Sequence, residues 1–331
     1  MSRRRLLNLL ALSIGLSVLA VTIWRIGFDT VVGHLGAVGL GFLVLIASSI
    51  VSCLLDAWSL RVSLGGGVGI GRLLGIGLAG AAVNQFTPLG EGGEIVKGNM
   101  LLEHVPGHKA VSAVLAWNLA HRASKHVIIF LGPLLMLLVD FDRFGGWMLA
   151  GFVVAAIIAS IPTALLFLLA GSRGAERIVR LLRHIPWVRQ GVSDRLVQKA
   201  RDTDGLLKEY TTTRRRDAWK MFAIQMAGKL VGIADYWLVQ WMLGGQLNPI
   251  EAAFIVSGSQ VVGIVLSILP VQIGISEAGE TALWALIGLP VDLGFAQAFV
   301  RRLRGLLFNL AGLLYLGFEG TRRTREATGP S

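Results

Sequence analysis

Asn84-Gln85-Phe86-Thr87-Pro88-Leu89-Gly90-Glu91-Gly92-Gly93-Glu94 interrupts an otherwise apolar stretch with a proline, three glycines and two carboxylates. Leu269-Pro270-Val271-Gln272-Ile273-Gly274-Ile275-Ser276-Glu277-Ala278-Gly279-Glu280 does so with a proline, two glycines and two carboxylates in the other half of the chain. Carboxylates are costly at membrane depth, and broken backbone survives there only where it lines protein or a wet cavity. A matched pair of interrupted apolar segments, one per half, points to a binding site between two membrane-embedded repeats.

The flanking sequence supports a membrane setting. The chain has 331 residues, 54% hydrophobic and 15% charged; a soluble domain carries about 25% charged residues. Mean hydropathy is +0.67. Several apolar runs approach or exceed the roughly 20 residues that cross a bilayer. The expected class is an all-α polytopic membrane protein. A net charge of +11 could suggest nucleic acid. The basic residues gather in particular loops instead, as the positive-inside rule requires, and no stacking aromatics interleave them, so no nucleic-acid partner is expected.

Cys53 is the only cysteine, so no intrachain disulfide forms. His104 and His108 stand four apart, but Pro106 breaks the helix that would align them. No metal and no cofactor are expected. Ser2-Arg3-Arg4-Arg5 before an apolar run resembles a signal peptide. The run is longer than a typical signal core and lacks an evident cleavage site, so a retained first span is expected.

Apolar length places spans at about 6–24, 38–55, 111–139, 147–170, 218–243 and 295–318, with interrupted segments at 73–102 and 249–289. The arms of the first segment are too short to cross and read as a re-entrant hairpin. Those of the second could each cross, which leaves eight or more full spans as an alternative. With six spans, two hairpins and a cytoplasmic N-terminus, about 21 basic residues lie inside against about 2 outside. Both termini are then cytoplasmic. Residues 1–143 read span, span, hairpin, span, and 144–331 repeat the order. Three crossings per half invert the second relative to the first. The basic segment 171–216, where apolar residues alternate with Arg177, Arg180 and Arg183, reads as an amphipathic surface helix on an anionic inner leaflet, with a solvated loop as the plainer option.

The candidate site residues are the polar groups at membrane depth. Gly90, Gly92 and Gly93 precede a helix start whose unpaired N–H groups suit an anion, although a tight turn explains them as well. Glu91, Glu94, Glu277 and Glu280 suit proton exchange or an amine headgroup; pairing with buried Lys or Arg is the plainer role. Arg122 lies with Asn118 and His126 at helical spacing, beside His121 and Lys125. Lys229 sits near the middle of its span, one turn after Gln225, and Arg301, Arg302 and Arg304 enter the last. A charge at a helix centre costs about 2.5–3.5 kcal/mol, so each needs a pair, water or a ligand. Arg suits phosphate; the alternatives are snorkelling for the three arginines and an ion pair for Lys229. The Gly71/Gly75/Ala79 stripe reads as a packing face.

Asn84–Leu102, of the form N-x-x-x-P-x-G-x-G-G-E-x-x-[KR] closing on Lys97, and Pro270–Gly288, with P-x-x-x-G-x-x-E, resemble the two signature segments of the lysylphosphatidylglycerol synthase membrane region, a flippase-like family. The resemblance covers nearly the whole chain and implies lipid translocation between leaflets of a bacterial cytoplasmic membrane. It makes Asn84 and Lys97 candidate substrate contacts. The implied lipids are aminoacylated or other anionic phospholipids, hopanoid-type lipids or polyprenyl-linked precursors. Two departures stand out. No soluble aminoacyl-transferase domain follows the membrane part, so this chain is not expected to make lysyl-lipid. Asn118–Lys125 replaces the family's E-R-x-x-D-like segment and keeps only Arg122.

The expected function is therefore a lipid flippase or transporter of the bacterial inner membrane, not an enzyme. The alternatives are a small-solute transporter, a scaffold for a lipid-synthesis enzyme, and a membrane enzyme acting on lipid phosphates. The expected partners are membrane lipids. No nucleotide-binding loop of the G-x-x-x-x-G-K-[ST] kind is present, so direct ATP drive is not expected.

Overall fold

From Phe42 to Leu64 no glycine or proline interrupts the chain, and it forms one helix, α1 (Gly41–Leu64). Gly65 ends it at φ 69°, a left-handed conformation that a glycine adopts without steric cost. The computed structural model describes residues 38–85, 87, 92–139, 150–157, 212–266 and 275–328, with scattered positions between 29 and 36 and between 160 and 210. The expected span at 6–24, most of those at 147–170 and 171–216, and Glu91 lie outside the described residues.

The remaining long helices are α2 (Ile70–Asn84), α3 (Gly92–Leu101), α4 (Gly107–Val139), α5 (Arg215–Met242), α6 (Pro249–Leu266), α7 (Ile275–Leu286) and α8 (Val291–Thr328). Among the described residues every regular element is helical. Helices α1, α4 and α6 are long and apolar enough to cross a membrane. At 15, 10 and 12 residues, α2, α3 and α7 extend about 22, 15 and 18 Å, short of a full crossing.

Local signals account for several boundaries. Pro249 opens α6 at a position where its missing N–H costs nothing. Asn248 Oδ1 accepts from the N–H groups of Ile250 and Glu251, both at 2.9 Å, while Glu251 Oε2 accepts from Asn248 N–H at 3.0 Å. This reciprocal box satisfies donors that would otherwise be orphaned. Pro133 lies inside α4 without ending it. Beside it, Ser257 of α6 reaches Ile128 O of α4 at 2.6 Å and Ala253 O of its own helix at 2.7 Å.

Two expected boundaries shift. The second span was expected to end at 55, but α1 continues to Leu64 through Asp56 and Arg61. The last was expected to end at 318, but α8 runs to Thr328. In α1 the charge does not stop the helix because Asp56 is hydrogen-bonded to neighbouring helices.

Packing follows a pattern. α1 packs on α5, α2 on α8, and α4 on α6; α2 pairs with α3 and α6 with α7. Further contacts join α1 to α2, α5 to α6, α3 to α4, α7 to α8, α1 to α4 and α5 to α8. Exchanging α1–α4 for α5–α8 carries each of these packings onto another, or onto itself for α1 with α5. The contact of α4 with α5 has no counterpart of similar extent. The α2–α8 seam is made by small residues: a side chain on Gly75 would collide with the Tyr315 ring, and one on Gly312 with the Leu78 carbonyl.

Candidate functional site

The first interrupted segment is a helix pair held at its open end. Gly93 N–H donates to Asn84 Oδ1 at 2.5 Å and Gly92 N–H to Thr87 Oγ1 at 3.2 Å. The donors expected to face an anion are thus taken by the preceding arm, and Asn84 serves as a cap for α3. Gly80 and Gly93 let the arms touch, since a side chain on Gly93 would strike the Gly80 carbonyl and the Asn84 amide.

One turn into α3, Lys97 Nζ lies 3.3 Å from Glu94 Oε1 and 3.6 Å from the centroid of the Trp117 ring. Trp117 Nε1 donates to Asp56 Oδ1 at 3.2 Å, and Gln225 Nε2 donates to the same oxygen at 2.9 Å. Gln225 Oε1 lies 3.1 Å from His121 Nδ1, and the His121 ring stacks on Trp117 with centroids 5.3 Å apart. A continuous polar network therefore runs from the first hairpin through α4 and α1 to α5.

Beside this network lies a cavity of about 220 Å³ lined by Ser52, Cys53, Asp56, His121, Gln225 and Lys229, with apolar residues of α2 on its other wall. Lys229, Lys97 and Lys125 all act electrostatically on His121. Lys125 in turn is repelled by Lys229 and Arg122. Arg122 Nε donates to Asn118 Oδ1 at 2.7 Å, and His126 Nδ1 lies 2.6 Å from Arg122 O. Lys97 has Glu94, whereas Lys125 and Lys229 form no salt bridge with any carboxylate among the described residues. Among the described residues, three lysines, Lys97, Lys125 and Lys229, thus gather around two carboxylates, Glu94 and Asp56. In low dielectric an uncompensated excess of positive charge favours an anion.

The second interrupted segment builds a different site. Arg302 Nε donates to Glu277 Oε1 in a short contact, and Ser276 Oγ donates to Glu277 Oε2 at 2.9 Å. Arg301 Nη1 donates to Glu280 Oε2 at 2.6 Å while its guanidinium lies 4.9 Å from the Tyr236 ring centroid. Arg304 Nη1 donates to Asp235 Oδ2 at 2.7 Å. All three carboxylates are buried. The three arginines therefore form ion pairs rather than snorkelling, and they tie α7 and α5 to α8. A second cavity, of about 270 Å³, opens between the Glu277 and Glu280 pairs and Gln85, Ser259 and Asn309.

The match to the family model of the lysylphosphatidylglycerol synthase TM region spans residues 8–312. The chain belongs to this family. No curated protein and no solved structure matches it. Membership in a lipid-related family, together with helices apolar enough to cross a bilayer, makes it a multi-pass membrane protein that meets membrane lipids.

The nine residues singled out from sequence divide accordingly. Asn84, Glu94 and Lys97 belong to the first hairpin, Arg122 and Lys229 to the cationic cluster, and Glu277, Glu280 and Arg301 to the second cavity. Glu91 lies outside the described residues. Sequence reasoning missed Asp56, the hub of the first network, and Gln85, Ser259 and Asn309 of the second cavity. An aspartate inside an apolar run was the available signal for Asp56; neutral polar residues in helices carry no comparable mark. Among the described residues no group of three or more His, Cys, Asp or Glu is arranged to hold a metal ion.

Proposed function

We propose that the chain is a lipid transporter, not an enzyme, that moves an anionic or polyprenyl-linked lipid between the leaflets of the bacterial cytoplasmic membrane. The observation that carries this is the cavity lined by Lys229 and His121, with Lys125 and Lys97 within electrostatic reach of that histidine and, among the described residues, no carboxylate in a salt bridge with Lys125 or Lys229. Such charge is expensive inside a membrane unless something returns the cost, and a lipid phosphate does so. Arg122 and Lys229 would hold the phosphate. Arg301, committed to Glu280, would instead shape the second cavity.

The architecture proposed with this function is six spans and two re-entrant hairpins arranged as an inverted repeat, 1–143 and 144–331, with both termini cytoplasmic. The shortness of α2, α3 and α7 favours hairpins over eight full spans. The exchange relation among helix contacts favours two equivalent halves. The basic segment 171–216 would lie on the anionic inner leaflet. Part of its charge is offset internally, since Arg201 Nε lies 2.8 Å from Glu176 Oε1. A lipid-synthesis enzyme would be the protein partner in this scheme.

The test is scrambling of headgroup-labelled lipids by purified protein in liposomes. Wild type is expected to move anionic lipid, and Lys229→Gln to slow that movement at least tenfold while the protein stays folded. Wild-type protein that moves no lipid, or a Lys229→Gln and Lys125→Gln double variant with full activity, would overturn the assignment.

A further inference from the structure

The two cavities differ in charge, and that difference says what each can hold. Around the second, Glu277 is matched by Arg302 and Glu280 by Arg301. The ion pairs cancel, leaving among the described lining residues no net charge to offset a charged ligand. The rest of its polar lining is neutral: the amides of Gln85 and Asn309 and the hydroxyl of Ser259, with the Ser276 hydroxyl already donated to Glu277. These groups offer both donors and acceptors in one small space.

One acceptor is left over. Glu280 is 5% exposed, its Oε2 is bound by Arg301, and its buried Oε1 has no hydrogen-bond partner among the described residues. A buried carboxylate oxygen without a donor is costly, and Glu280 lines the cavity. A ligand that donates a hydrogen bond there and uses the adjacent amides and hydroxyls satisfies it. An ammonium would also donate, but it would bring a charge that the paired carboxylates have no surplus to balance. Hydroxyl groups donate and accept without adding charge.

Position links this cavity to the first. Leu74, Gly77, Leu78 and Ala81 of α2 line the cationic cavity, and Gln85 lines the second. Ala81 and Gln85 are one helical turn apart, about 6 Å along the axis. One helix face therefore borders both.

We propose that the second cavity is a subsite for the uncharged, hydroxyl-bearing part of a lipid headgroup, a glycerol or a sugar, adjacent to the cationic cavity that takes phosphate. The proposal rests on the chain's reading as a lipid-handling protein. Its test is binding rather than transport, so that its failure and the failure of that reading are told apart.

The experiment is lipid binding to the detergent-purified full chain, followed by native mass spectrometry, with four lipids of identical acyl chains. These are phosphatidylglycerol, phosphatidylmethanol, phosphatidylethanolamine and a glucosyl diacylglycerol. Phosphatidylmethanol carries the phosphate charge of phosphatidylglycerol without hydroxyls. Wild type is expected to prefer phosphatidylglycerol over phosphatidylmethanol about tenfold, the discrimination that one or two hydrogen bonds give. Binding of the glucosyl lipid would name a sugar as a further source of the same chemistry; its failure to bind, with the glycerol preference kept, would restrict the subsite to glycerol. Glu280→Gln and, independently, Asn309→Leu are expected to erase the preference while leaving phosphatidylmethanol bound. Lys229→Gln is expected to weaken both anionic lipids and spare the hydroxyl preference. Equal binding of phosphatidylglycerol and phosphatidylmethanol by wild type, or a preference for phosphatidylethanolamine, would overturn the proposal even if anionic lipids bind and move.

Discussion

Asp235 of α5 and Arg304 of α8 are 69 residues apart in sequence and meet at 2.7 Å in the interior. Breaking a buried pair from one side leaves a charge with no partner, at a cost of about 3–5 kcal/mol, while replacing both sides with apolar residues is often neutral. Arg304→Met is therefore expected to destabilise the protein by that amount, and Arg304→Met with Asp235→Leu to recover most of the loss. Equilibrium unfolding in mixed detergent micelles measures both; strictly additive losses would mean the two charges are not coupled. Asp56 shows why such pairs are hard to see in sequence. Its partners, Trp117 and Gln225, lie 61 and 169 residues away. From sequence the aspartate looks like the end of an apolar run, and the span was accordingly ended at 55. Once its hydrogen bonds are known, the carboxylate belongs inside, and the helix continues to Leu64 for the same reason. Glu277 and Glu280 were legible because proline and glycine mark their surroundings, but the arginine each one takes was not.

The element scale turns on small residues where helices touch. Gly71 and Gly75 share one stripe of α2, yet among the described residues a side chain on Gly75 meets the Tyr315 ring, while one on Gly71 has nothing within 4 Å. Sequence spacing identified the stripe but could not rank its members, since contact depends on how α8 crosses it. Gly75→Leu is expected to force α2 and α8 apart, at a cost of about 1–3 kcal/mol for overpacking. Gly71→Ala should be neutral or stabilising by up to about 1 kcal/mol, because alanine is the better helix former. Thermal unfolding of the two variants separates these outcomes, and equal destabilisation would refute the assigned seam. A similar contrast holds within the first hairpin. Gly93 packs on the Gly80 carbonyl, so Gly93→Ala should loosen the α2–α3 pair and with it the position of Lys97 against Trp117. The expected sign is lower stability together with slower lipid movement. Loss of stability without any change in transport would confine the glycine to a structural role.

Across the whole molecule, the relation between the halves decides how the two cavities can serve one path. The contacts of α1–α4 map onto those of α5–α8, but contacts alone do not say which way each half faces the membrane. Charge supplies the direction. The basic residues concentrate on one side if the first hairpin enters from the cytoplasm and the second from outside. In that arrangement one half-site opens towards each face, and a lipid headgroup could pass from one cavity to the other along α2. Cysteine reporters test this directly, because Cys53 is the only native cysteine and can be replaced by serine. His108→Cys, at the exposed start of α4 after the first hairpin, is expected to react with an impermeant thiol reagent only from the cytoplasmic face. Gln246→Cys and Val291→Cys, exposed on either side of the second hairpin, are expected to react only from the opposite face. If all three are reached from the same side, the halves are not inverted. Lipid transport would then have to proceed through cavities that open in one direction, and the passage along α2 would lose its physical basis.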